Sequence, residues 1–153
     1  MAEVLLDATS QVTGSPTVFV SYPTGTRAMQ LPDSNIDSYF LKAFGRPDRN
    51  LTCECERTAQ PSMAQVLNIA NGETINQKLA TPGNRIEQLL AAKTPEEQSV
   101  DEVYLSALSR YPTPSERSTL AAAITEAPAA EKRQAVEDLY WGILSSKRFL
   151  FNH

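Results

Sequence analysis

Two thiols and three charged side chains fall within five residues, Cys53-Glu-Cys-Glu-Arg57, and no other stretch of the chain concentrates reactive groups so closely. In an extended backbone the period of two places Leu51, Cys53 and Cys55 on one face and Thr52, Glu54 and Glu56 on the other. Thiols on a shared face have three ordinary fates. They can ligate a soft metal, but a structural zinc needs four ligands. His153, the only histidine, and a carboxylate would have to complete the set, and Cys-x-Cys is tighter than the usual Cys-x(2 to 4)-Cys spacing. They can form a disulfide, although residues two apart in a strand lie roughly 6.6 Å apart, so the bond requires a turn and carries strain that makes it easily reduced. Or they can simply be small buried residues under a loop. All three readings stay open for Cys53, Cys55 and His153.

The neighbouring polar residues support binding better than turnover. Arg57 can pair with Glu54, Glu56 or a helix C-terminus, and Gln65, Asn68, Asn71, Asn76 and Gln77 form an amide-rich run suited to a sugar groove or to capping helix ends. The candidate binding residues are therefore Glu54, Glu56, Arg57, Gln65 and Asn71. No catalytic residue is assigned. There is no Gly-x-Ser-x-Gly elbow, a serine triad would depend wholly on His153, and a carboxylate pair such as Glu54 and Glu56 is as common on an exposed surface as in a glycosidase.

Helices must position these groups. A chain of 153 residues makes one domain by default, and at about that size folding hides roughly 70% of the unfolded surface. The spacing of Val4, Leu5, Ala8 and Val12, stopped by Gly14, predicts a first helix. Residues 15–34 hold three prolines and read as an irregular arm, in which Thr17–Tyr22 and Arg27–Leu31 have room to pair as one short β-hairpin. A helix capped by Ser34 or Asn35 then carries Ile36, Tyr39, Phe40 and Phe44. The cysteines sit in a loop over 46–60, followed by a helix from Pro61 to Asn71 and helical segments over Glu73–Leu79 and around Ile86, Leu89 and Leu90. Thr94-Pro-Glu-Glu97 and Thr113-Pro-Ser-Glu116 are both capping-box patterns. Val100, Val103, Tyr104, Ala107, Leu108 and Tyr111 form the face of the helix after the first; Val136, Leu139, Tyr140, Ile143 and Leu144, with Trp141 beside them, form that of the last. The fold class expected is mostly α, an irregular bundle of about six to seven helices.

A net charge of −4 with scattered basic residues argues against a nucleic-acid surface, and no apolar run approaches the ~20 residues of a membrane helix. The N-terminus has no signal-peptide pattern.

Several stretches carry a resemblance: Cys53-Glu-Cys-Glu-Arg57 running into Gln65 and Asn71-Gly72; Leu105-Ser-Ala-Leu-Ser-Arg-Tyr-Pro-Thr-Pro-Ser-Glu116; and Leu144-Ser-Ser-Lys-Arg-Phe-Leu-Phe-Asn-His153. Leu5–Gly14 and Arg27–Asp33 add to it. Together they resemble the C-terminal region of a planctomycete family of large proteins built from domains of unknown function, many of which also carry a cytochrome-c-like domain. The resemblance implies a bacterial source, an exported and therefore extracytoplasmic parent, and further domains of that parent as partners, with 1–153 as a single helical domain at its C-terminal end. Any haem c would be held elsewhere in the parent, because haem attachment needs Cys-x-x-Cys-His and this chain has Cys-x-Cys-Glu, so no cofactor is expected within it. The function expected is a noncatalytic structural or docking module. The alternatives are a redox or metal role for Cys53 and Cys55 beside the cytochrome-like domain, and a subdomain of a polysaccharide-processing enzyme.

Overall fold

The architecture was read from a computed structural model, which describes residues 2–32, 36, 38–44 and 73–151. The cysteine loop over 46–60 and the helix expected from Pro61 lie outside the described residues. Among the described residues the chain is an irregular bundle of α-helices with no strand, and six of the helices run seven residues or more.

Helix α1, Ala2–Thr13, buries Leu5, Leu6 and Val12. Thr9 and Thr13 share that buried face because each hydroxyl donates to the carbonyl four residues back, to Leu5 O and Thr9 O, both at 2.8 Å. The helix stops at Gly14, whose φ of +65° is the left-handed conformation that closes a helix end. Gly14 N–H donates to Gln11 O (3.3 Å) and Ser15 N–H to Ser10 O (3.1 Å), satisfying two terminal carbonyls.

The arm that follows corrects the hairpin expectation. Among the described residues Thr17–Tyr22 pairs with no strand, and Ala28–Gln30 is a single 3-10 turn rather than a strand. Two short strands with no helix pair between them are marginal, and tertiary bonds to α1 win instead. Helix α2, Tyr39–Ala43, is capped by Ser38, whose Oγ accepts from Leu41 N–H at 3.4 Å. The expected caps Ser34 and Asn35 lie outside the described residues. Phe40 is buried and stacks on Phe44 with ring centroids 4.4 Å apart, while Tyr39, expected on the same inward stripe, is exposed.

Helix α3, Glu73–Ala80, and α4, Arg85–Ala91, meet at a corner organised by one buried side chain. Asn84 accepts from Glu87 N–H (3.0 Å) at the start of α4, and its amide donates to Lys78 O (3.3 Å) and to Leu79 O at the end of α3. Helix α4 ends with Lys93 at φ +51°, where Thr94 N–H donates to Leu89 O at 3.1 Å. This corrects the first expected capping box. Thr94 is committed to closing α4, so α5, Glu96–Leu108, begins behind Pro95 with no side-chain cap.

The second box forms as expected at the start of α6, Pro114–Glu126. Glu116 N–H donates to Thr113 Oγ1 (3.2 Å), and Thr113 N–H donates to the Glu116 carboxylate (2.8 Å). The same carboxylate takes a bidentate pair from Arg110, both bonds at 2.9 Å, chiefly for which reason its pKa is held down to about 2. Arg117 and Asp101 make a second bidentate link between α5 and α6, at 2.8 and 2.9 Å. Helix α7, Lys132–Leu144, lies against α3, α4, α5 and α6 and inserts Val136, Leu139, Tyr140 and Leu144; α8, Lys147–Phe151, buries Phe149. Tyr111, expected on the inward face, is exposed past the end of α5, because the residue before Pro112 cannot continue the helix. From Ala2 to Phe149 the buried apolar side chains form one core cluster. No helix among the described residues is long and apolar enough to cross a membrane.

A methyl group tests the junction of α1 with α4. A Cβ on Gly14 would lie 3.2 Å from the backbone nitrogen of Arg85, in addition to the strain of its positive φ. Gly14→Ala is expected to cost about 2 kcal/mol. Gly142→Ala, inside α7 with open space around it, is expected to stabilise by about 0.5–1 kcal/mol. Urea or thermal unfolding of both variants checks the pair, and equal effects of the two would contradict the close approach.

Candidate functional site

Lys78 stands where a core residue belongs. On α3 it falls between Ile75 and Leu79 in an i, i+3, i+4 stripe, and all three are buried, Lys78 to 6% exposure. A lysine in such a stripe can lay its stem along apolar neighbours, but its ammonium must find acceptors. It donates to Ser15 O at 2.7 Å and to Thr17 Oγ1 at 2.8 Å. Burial pushes its pKa down to about 8, against the opposing attraction of Asp7.

The bonds beyond Thr17 have a fixed direction. Ser10 spends its hydroxyl hydrogen on Leu6 O (2.8 Å), so in the 3.1 Å contact between the two hydroxyls it is Thr17 that donates. The proton order is therefore Lys78 to Thr17 to Ser10 to the α1 backbone. Asp7, one turn earlier on α1, holds the other end of the arm. One carboxylate oxygen accepts from Ala28 N–H (2.7 Å) and the other from Met29 N–H (3.1 Å), so a side chain 21 residues away caps the 3-10 turn. Gln30 closes that turn locally by accepting from Arg27 N–H at 2.9 Å.

Arg27 is the group left over. Its Nε lies 3.8 Å from Asp7, whose oxygens are already taken by backbone, and its side chain is 60% exposed. It stands between two open clefts that share Asp7, Gln11 and Arg27. One, of about 270 Å³, is also lined by Ser10, Pro16, Thr17, Gly25 and Thr26. The other, of about 260 Å³, is also lined by Val4, Ala8, Met29, Ser106 and Ser109. In the first cleft Ser10, Thr17 and Thr26 have each donated their hydroxyl hydrogen inside the protein, Thr26 to Pro23 O at 2.7 Å. What remains for a ligand is acceptor lone pairs, the Gln11 amide and the Arg27 guanidinium. Those groups can hydrogen-bond or ion-pair with a bound group.

The family model described as PSD1, Protein of unknown function (DUF1553), matches residues 6–124, well over half of the chain. The chain belongs to this family. Comparison with curated proteins and with solved structures returns no match. The PSD1 match runs from α1 into α6 and so takes in Asp7, the arm, Lys78 and the whole stretch containing the cysteines.

The residues singled out in the sequence, Cys53, Glu54, Cys55, Glu56, Arg57, Gln65, Asn71 and His153, all lie outside the described residues. Asn76, from the amide-rich run, is exposed on α3. Lys78 and Asp7 were missed. The available signal was a charge set within an apolar stripe on each helix, Lys78 between Ile75 and Leu79 and Asp7 next to Leu5 and Leu6.

Stability should report the buried ammonium directly. Its folded pKa of about 8 lies below the usual 10.5, so between those pH values the unfolded chain binds the extra proton and stability rises with pH. The stability difference between the wild type and Lys78→Met is expected to shift in favour of the wild type by up to about 3 kcal/mol from pH 8 to pH 10.5. Other titrations cancel in that difference, and a flat profile would show that Lys78 is not desolvated.

Proposed function

We propose that this chain is a noncatalytic structural and docking module of a larger exported bacterial protein, and that its partners are the other domains of that parent. What supports this reading is the arm. An irregular segment whose only regular element among the described residues is one 3-10 turn is held by a buried lysine on α3 and a buried aspartate on α1, and it carries Val18 at 72% and Val20 at 90% exposure on its outer side. Ordering an irregular segment costs about 1–2 kcal/mol per residue in backbone entropy. A chain that spends buried charges on doing so, with valines left in water, is arranged for contact. The planctomycete source, the extracytoplasmic setting and a cytochrome-c-like neighbour holding haem c belong to this proposal, and rest on the resemblance of the sequence.

The test is association between this chain and the separately produced remainder of its parent. Val18→Asp with Val20→Asp is expected to leave thermal stability within about 0.5 kcal/mol, as exposed substitutions do, and to weaken association by about tenfold or more in titration calorimetry. Unchanged affinity would sink the docking reading. Loss of a polysaccharide-degrading activity in the parent when this chain is deleted, with no change in association, would favour the enzyme-subdomain reading.

The alternation Cys53-Glu-Cys-Glu56 supports a second reading, a redox or metal role for Cys53 and Cys55 with His153 as a further ligand. On that reading aerobically purified protein contains one metal per chain, or alkylates at neither thiol until reductant is added, both read by intact mass and metal analysis. Two thiols that alkylate on denaturation without reductant, in a metal-free sample, would remove it.

A further inference from the structure

Residues 15–20 alternate strictly. Ser15, Thr17 and Phe19 turn inward, with Ser15 and Phe19 buried, while Pro16, Val18 and Val20 are exposed. In-and-out alternation at a period of two is the signature of an extended chain, and Thr-Val-Phe-Val is composed of strand-favouring residues. Yet among the described residues this segment has no strand beside it. The N–H groups of Thr17, Val18, Phe19 and Val20 and the carbonyls of Pro16, Thr17, Val18 and Val20 have no hydrogen-bond partner among the described residues. Ser21, at φ +72°, ends the run, and Tyr22 N–H turns back to Phe19 O at 3.1 Å. Among the described residues no second strand completes it, so it stands as an open edge.

The charge beside that edge selects the occupant. The cleft of about 270 Å³ is lined by Pro16, Thr17 and Arg27, whose guanidinium has, among the described residues, only the 3.8 Å ion-pair contact with Asp7. Arg27 is the only charged residue in 15–31, in a chain whose net charge is −4. A second copy of residues 15–31 would bring no carboxylate to it.

We infer that the edge at Thr17–Val20 binds an extended, acidic peptide segment of another polypeptide by strand addition, with a carboxylate of that segment seated in the cleft on Arg27. Backbone pairing over four residues spans about 13 Å and supplies affinity, the outward valines pack alternate apolar side chains, and the arginine fixes register and direction. The inference rests on the docking reading and names the partner's chemistry.

The test uses the intact chain and capped hexapeptides of alternating Val and Thr, one carrying a terminal Glu and one a Gln in its place. Amide NMR is expected to show shifts and slowed hydrogen exchange confined to residues 17–20, with the Glu peptide binding about tenfold tighter than the Gln peptide. Arg27→Gln is expected to erase that preference, and a backbone N-methylated Glu peptide is expected not to bind. No protection at 17–20 with millimolar Glu peptide overturns the inference, as does concentration-dependent protection of the same amides without peptide, which would mean pairing between copies. If the valine-to-aspartate variant loses its parent domains while the peptides leave these amides unprotected, docking survives and strand addition fails. If neither responds, both fail.

Discussion

The ammonium of Lys78, buried between an α-helix and an irregular arm, is the constraint on which the rest of this surface depends. A charged amine removed from water costs several kcal/mol unless acceptors meet it, and here a loop carbonyl and a threonine hydroxyl do so at 2.7 and 2.8 Å. Because the hydroxyl chain beyond it has one permitted proton order, rotating Thr17 would cost the Lys78 ammonium one of its two acceptors and break the link to Ser10. Asp7 supplies the opposite charge on α1 and fixes the far end of the arm through two backbone N–H groups. Loops ordinarily satisfy their backbone with water. This one is divided, its ends tied to the protein and its middle left open.

The helices that carry those two charges are held at short, well-closed junctions. Gly14 lets the end of α1 approach α4, Asn84 turns α3 into α4, and Lys93 turns α4 toward α5. Glu116 then serves the cap of α6 and the Arg110 pair at once, so the α5–α6 hairpin has little freedom to slide. Against this frame α7 packs Tyr140 and Leu144 into the common core. Burial holds the Tyr140 hydroxyl above its usual pKa, and among the described residues it has no hydrogen-bond partner. Among the residues lining the two clefts beside the arm, most polar groups are consumed in positioning, and Arg27 and Gln11 face the open space.

Membership in PSD1 places the chain among proteins of unknown function, so the weight of a functional reading falls on its own chemistry. The cysteine stretch drew attention because thiols are rare and conspicuous in a sequence. The arm did not, since its serines, threonines and prolines read as connecting chain, and Lys78 and Asp7 read as two of many surface charges. What distinguished them was the apolar stripe in which each stood, a pattern that is local for the helix but whose meaning is not, because the partner of each charge lies on another element.

The sequence by itself determined the end of α1 at Gly14 and the start of α6 at Thr113. Pro-Gly and Thr-Pro-Ser-Glu signals act within a few residues, and the apolar stripes of α5 and α7 had to face a core once those helices formed. The strand propensity of Thr17–Tyr22 was a local preference that no partner strand among the described residues turned into a hairpin. Only the tertiary structure decided that this segment would stand unpaired, that Arg27–Leu31 would curl into a 3-10 turn on Asp7, and that Thr94 would close one helix instead of opening the next. Each of those outcomes was a competition between a local hydrogen bond and one reaching across the fold. Distances along the chain of 21 residues for Asp7 and 61 for Lys78 put the winning partner beyond what any local pattern can specify.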